Sequence, residues 1–91
     1  MVLNEVEIRQ KLANLSNWMT NGNHITRTFE FKNFPEAIDF VDRLVAPAEG
    51  ALHHPDIYIS YNRVTIHLTT HDEGGITQKD FDLAHSIETL Y

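Results

Sequence analysis

The chain has 91 residues, 42% of them hydrophobic, enough for one domain of two packed layers and too few for a second core or a long internal cleft. A substrate pocket therefore belongs in a surface groove or between subunits. Seven Lys and Arg against 13 Asp and Glu leave a formal charge of −6 with no basic cluster, which argues against a nucleic-acid partner. The chain has no cysteine, which removes disulfides and thiolate zinc sites. With no apolar run of membrane-spanning length and no basic-then-apolar leader, the expectation is a soluble cytoplasmic protein with no membrane partner.

Asn4 with Glu7 forms a capping pair, and Ile8, Leu12 and Leu15 recur at helical spacing, so a first helix is predicted over residues 4–16, with Trp18 just beyond it. Ile25, Phe29 and Phe31 alternate with Thr26, Thr28 and Glu30 in a half-buried strand over 25–31, broken only by Arg27 on the apolar side. Asn33 and Pro35 open a second helix, whose stripe of Phe34, Ala37, Ile38, Val41, Leu44 and Val45 gives it one apolar face. Pro47, which has no amide hydrogen, is expected to bend or end that helix, and Gly50 to weaken any continuation. Ile57 and Ile59, then Val64, Ile66 and Leu68, alternate with polar residues about a turn over 60–63 centred on Asn62, which is a hairpin. Gly74 and Gly75 permit a sharp turn, Thr77 and Asp80 form another cap, and Phe81, Ala84, Ile87 and Leu90 supply the apolar face of a third helix. The predicted class is α+β: a two-layer sandwich with three helices on one face of an antiparallel sheet, its edge left open for self-association.

Three of the six histidines lie in two segments, 49–55 (Glu-Gly-Ala-Leu-His-His-Pro) and 69–75 (Thr-Thr-His-Asp-Glu-Gly-Gly), which the hairpin brings to one end of the sheet. Histidine exchanges protons near neutral pH, so His53, His54 and His71 converging on a small domain point to acid–base chemistry. Pro55 holds His54 extended, and the two adjacent rings then diverge. One can flank a flat ligand while the other packs beneath it. The same divergence makes a shared metal ion awkward, although three His with Asp or Glu is a ligand set for zinc or non-haem iron. His24, His67 and His85 read as solvated or structural residues, Trp18 as a core or interface anchor, Asp80 as a helix cap, and Asp72 and Glu49 as solvated acids.

On these residues the chain resembles the pterin-4a-carbinolamine dehydratase family, known in animals also as a dimerization cofactor of a homeodomain transcription factor. The likeness runs through Trp18, Ile25, Arg27, Phe29, Phe31, Lys32, Phe34, Ala37 and Phe40. It is sharpest in Glu49 with His53, His54 and Pro55, in Tyr61, Asn62 and Val64, and from Leu68 through Gly75 to Thr77, Asp80 and Ala84. The resemblance implies one such domain over residues 1–91, and a lyase that dehydrates a 4a-hydroxytetrahydropterin to the quinonoid dihydropterin, recycling the cofactor of aromatic amino acid hydroxylases. It implies His53 and His71 as the acid–base pair, His54 as a further ring-binding or proton-transfer group, and Glu49 and Asp80 in support. Leu52, His53, His54, Pro55, Thr69, Thr70, His71, Asp72 and Trp18 would line the pterin. The pterin is itself the substrate, so no metal or organic cofactor is implied. The implied partners are a second and fourth copy of the chain, in a dimer or a tetramer of dimers, and an aromatic amino acid hydroxylase. Leu52 departs from the Asp or Asn frequent in the family, and Pro47 and Gly50 interrupt the helix leading into His53. Both departures are expected to modulate affinity or rate. A non-catalytic dimerization or assembly module on the same fold is the alternative.

Overall fold

The computed structural model describes all 91 residues. Its elements run α1 (Glu5–Leu12), β1 (Met19–Thr20), β2 (Ile25–Glu30), α2 (Phe34–Ala51), β3 (Asp56–Ser60), β4 (Arg63–Leu68), a 3-10 turn (His71–Glu73) and α3 (Gln78–Glu88). The strands form one antiparallel sheet in the order β1-β2-β4-β3. The α+β class is as predicted. The two-residue β1, too short to show any alternation, is additional. The helices cover one face: Ile25 and Phe29 of β2 and Val64, Ile66 and Leu68 of β4 pack with Ala37, Phe40 and Leu44 of α2 and Phe81, Ala84 and Ile87 of α3, all excluded from solvent. No helix is long and apolar enough to cross a membrane.

Arg27 does project among the apolar residues, as its place in the pattern requires. It is tolerated because its guanidinium pairs with Glu88 and lies 4.2 Å from the centre of the Phe29 ring and 5.1 Å from that of Tyr91. Trp18 completes this corner of the core, its indole Nε1–H donating to Glu88 Oε2 at 2.8 Å.

Three boundaries differ from the sequence reading. The first helix begins at its Asn4 cap, with the Asn4–Glu7 box formed, but ends at Leu12 rather than reaching Ser16. Leu15 still reaches the core, from the irregular turn that follows. The second helix passes through Pro47 and Gly50 to Ala51. Proline removes one amide, but Ala48 is buried in the turn beyond it, and the end is closed by Leu52 N–H to Glu49 O at 3.2 Å and His53 N–H to Ala48 O at 3.1 Å. Tertiary burial of that last turn outweighs the local penalty. In the hairpin the left-handed residue is Tyr61 (φ 52°), not Asn62, because Asn62 is held by β2: its carbonyl accepts from Phe31 N–H at 2.8 Å and its side-chain amide donates to Phe31 O at 2.9 Å.

The closing residue of α2 determines where the histidines go. Leu52 takes the left-handed conformation (φ 52°, ψ 39°), which reverses the chain so that His53 turns under the helix and β3 begins three residues on. A leucine is strained there by about 1–2 kcal/mol, and at 83% exposure its side chain recovers little by burial. Leu52→Asn is expected to raise stability by about 0.5–1 kcal/mol. Urea denaturation checks this, and an unchanged or lowered midpoint contradicts it.

Candidate active site

The centre of the site is a buried carboxylate. Asp80, the third residue of α3, has no exposed surface, and each of its oxygens is used. Oδ2 accepts from the Thr77 N–H at 2.9 Å, which caps the helix, and from the Thr70 hydroxyl at 3.0 Å. Oδ1 accepts from His53 Nε2 at 2.6 Å. The Thr77 hydroxyl, 2.8 Å from Thr70 Oγ1, is left to donate to it, while accepting from Lys79 N–H at 3.2 Å. A buried acid with this many donors remains an acceptor, so the His53 proton lies on Nε2 and Nδ1 is left as the free atom of the ring. The cap role of Asp80 and its role beneath His53 are both met, one by each oxygen.

His54 follows the opposite course, as the extended backbone before Pro55 requires. Its ring is 64% exposed and Nε2–H donates to Glu49 Oε2 at 2.5 Å. This pair stands at the rim of a cleft of about 200 Å³ between α2 and β3, floored by Val41, Leu44, Ala48 and Ile57, with Pro55 half-buried beside it. Glu49 thus supports His54 and not His53. The continuation of α2 through Pro47 is what brings it within reach.

His71 opens the 3-10 turn that follows β4. Thr70, its neighbour, is fixed in that turn by accepting from Glu73 and Gly74 N–H at 3.1 and 3.0 Å and donating its own N–H to Gly75 O at 3.0 Å. Gly74, at φ 80°, allows the chain to close this loop. His71 and Asp72 are exposed. Thr69 is half-buried, its hydroxyl donating to Asn23 O at 2.7 Å. The chain of bonds His53–Asp80–Thr70 therefore links the two histidine segments, with His71 one residue from its end.

One expected site residue is not brought here. Trp18 is 5% exposed, packed edge-on to Phe29, and bonded to Glu88 near the last turn of α3, about 12 Å along the helix axis from Asp80. Within this chain it serves the core. Leu52 stands beside the histidines but contributes backbone geometry and an exposed side chain.

Other side chains at this end were not singled out from the sequence. His24 and His67 stack on the open face of the sheet, ring centres 4.2 Å apart, beside Asp56 and His71. The period-two pattern did place His67 on the solvent side of β4, but its neighbours depend on strand pairing that the pattern does not carry. The Thr77 and Thr70 hydroxyls were likewise unremarkable as isolated residues. No three His, Asp or Glu side chains are arranged to hold a metal ion. The largest surface concavity, about 570 Å³ between α1 and the β1 region, offers only Glu5 and Arg9 as ionisable groups, which pair with each other at 2.8 Å. It has no free acid–base group.

Comparison with known proteins gives the same direction throughout. The model of the family described as "Pterin 4 alpha carbinolamine dehydratase" matches residues 1–90. A Picosynechococcus protein provisionally named a pterin-4-alpha-carbinolamine dehydratase is 59% identical over 88 residues, covering 97% of this chain and 96% of that one. A Cyanothece protein with the same provisional name is 56% identical over 89 residues, covering 98% and 92%. Among solved structures, a transcriptional coactivator/pterin dehydratase from Brucella melitensis superposes with a TM-score of 0.93 at 35% identity, over 99% of this chain and 98% of its own. A pterin dehydratase-like protein identified as a RuBisCO assembly factor in the alpha-carboxysome has the same fold, with a TM-score of 0.65 at 20% identity, over 80% and 84%.

Two outcomes follow from the geometry. Asp80→Asn, which replaces one acceptor of the buried cluster by a donor facing donors, is expected to cost about 1–3 kcal/mol in chemical denaturation; an unchanged midpoint would mean that the cluster is not tied together. Burial, and then the adjacent His67, hold the His24 imidazole below its ordinary value of 6.5, against a smaller opposing pull from Asp56. The unfolded chain then takes up that proton more readily than the folded one, so the stability His24 contributes is present above about pH 6.5 and is lost as the pH falls below it. The melting temperature of His24→Asn should accordingly decline less than that of the parent between about pH 7 and pH 5. Equal declines would contradict this.

Proposed function

Since this chain belongs to the pterin-4a-carbinolamine dehydratase family, we propose that it is a hydro-lyase converting a 4a-hydroxytetrahydropterin to the quinonoid dihydropterin and water by histidine acid–base catalysis. In that reaction the bond from the tetrahedral C4a to its hydroxyl oxygen breaks, the oxygen gains a proton and leaves as water, and the neighbouring N5 loses its proton as its electron pair forms the C=N bond. One group must deliver a proton and another accept one. The net proton count is unchanged, so two imidazoles of matched basicity suffice, and positioned groups of this kind typically contribute about 10²–10⁴-fold.

The observation that carries the proposal is the bonded chain from His53 through Asp80 to Thr70, next to His71. Asp80 orients His53 and fixes its proton on Nε2, leaving Nδ1 for exchange, as a carboxylate beneath a catalytic imidazole does elsewhere. It also stabilises the imidazolium formed whenever His53 holds both protons. His71, exposed at the head of its turn, is the complementary group. His54, with Glu49 beside it, stands over the apolar cleft and would bind the ring or relay a proton. Thr69, Thr70 and Asp72, with Leu52 and Pro55 opposite, would frame the pterin. No metal or organic cofactor enters this reading.

The same reading makes the chain a dimer or a dimer of dimers. In support, β3 is an edge strand exposed along its whole length, with Ile57, Tyr58 and Ile59 36%, 55% and 41% accessible. Exposed apolar edges of this kind are normally covered. An aromatic amino acid hydroxylase as the source of the substrate, and the cytoplasm as the compartment, are part of the proposal.

His71→Ala is expected to lower the rate of dehydration by about 10²-fold or more while the oligomer stays intact, and His53→Ala to do the same, in metal-free protein. Turnover that survives both changes would refute the assigned roles. A folded oligomer that accelerates nothing would favour the non-catalytic assembly module.

A further inference from the structure

The face of the sheet not covered by helices carries a groove of about 380 Å³ whose lining includes no hydrophobic residue. Strand register builds it. Asp56 on β3 and Thr26 on β2 lie opposite His67 on β4, and the pleat places Asp56, His67 and Thr69 on this side while Ile66 and Leu68 face the core. His24, just before β2, lays its ring on that of His67, the planes 18° apart, and Tyr58 stands on the other side of His67 with ring centres 5.0 Å apart. His67 is therefore clamped between two rings. His71 and Asn23 complete the lining.

We propose that this groove is the subsite for a neutral, polyhydroxylated chain at C6 of the pterin, with Asp56, His67 and His24 determining that preference. The proposal rests on the dehydratase reading, which puts the pterin ring against His71 at one end of the groove. What lies beyond His71 is a row of hydrogen-bonding groups of matched character. The Asp56 carboxylate can accept from two adjacent hydroxyls, and each neutral imidazole offers one donor and one acceptor. The Thr69 hydroxyl already donates to Asn23 O, so toward the groove its oxygen can only accept. Neither Lys nor Arg lines the groove. A phosphorylated or carboxylated chain would thus meet Asp56 without a compensating cation, while a methyl group would use none of these partners. A hydroxylated three-carbon chain satisfies both donors and acceptors.

The test compares 4a-hydroxytetrahydropterins carrying a trihydroxypropyl or a methyl group at C6, as substrates for the parent protein, His67→Thr and Asp56→Asn. The parent should favour the trihydroxypropyl substrate in kcat/KM, and each variant should reduce that preference about tenfold through KM, the effect of losing one or two hydrogen bonds. A preference unchanged in both variants would overturn the subsite. Binding is read independently of turnover by titrating the fully oxidised, unreactive pterins with the same two C6 groups and following the ring proton signals of His24 and His67 by NMR. Those signals should move with the trihydroxypropyl compound and stay in place with the methyl compound; equal movement, or equally tight binding of a phosphorylated chain, overturns the proposal. A parent protein that discriminates in binding but accelerates neither substrate would remove the dehydratase reading and leave the subsite standing.

Discussion

One buried carboxylate holds this end of the molecule together. Asp80 has no contact with solvent, and an ionised acid in that position costs several kcal/mol unless every lone pair is answered. The answers come from three different stretches of chain: the start of α3 through Thr77, the end of β4 through Thr70, and the exit from α2 through His53. None of these is exchangeable for water without opening the core. The requirement to satisfy Asp80 therefore fixes the spacing of α2, α3 and β4 where the histidines emerge, and gives His53 a defined tautomer.

That arrangement separates the neighbouring histidines by environment. His53 is buried on a fixed acid, whereas His54, one residue on, is exposed and leans on an equally exposed Glu49. Two rings of one residue type thereby acquire different tasks: one is held rigidly with a single free nitrogen, the other can follow a ligand. The division depends on the left-handed Leu52, since any other closure of α2 would deliver the two side chains to different faces. A strained leucine at that position is consistent with a backbone over-determined by the packing of Ala48 before it and the Asp80 bond after it.

The two faces of the sheet have correspondingly distinct uses. The inner face is a continuous apolar layer, interrupted at Arg27, whose charge is matched by Glu88 at the far end of α3. The outer face is polar, with Thr28 and Thr65 bonded across strands at 2.8 Å and His24 stacked on His67. The polar groove and the histidine turn share one end of the sheet because Thr69 and Thr70 leave β4 on opposite faces, one toward the groove and one toward Asp80.

Much of this was legible in the order of residues. Alternation over 25–31 and 57–68, the apolar stripe of α2, the Asn4–Glu7 and Thr77–Asp80 boxes and the divergence of His53 from His54 all follow from local periodicity and backbone restriction, which a sequence carries directly. Local rules misled where distant burial opposed them: Pro47 does not stop α2 because Ala48 is held in the core, and Tyr61 rather than Asn62 is left-handed because β2 engages the Asn62 side chain. Trp18 was left between core and ligand because an indole suits either, and only Glu88 and Phe29 decide the matter. The His53–Asp80–Thr70 chain and the His24–His67 stack join residues 27, 10 and 43 positions apart. Which residues can do acid–base chemistry was determined by the sequence itself, through residue type and spacing; which of them meet was decided by the tertiary structure alone, because a hydrogen bond between distant residues exists only once strand register and helix packing have set their separation.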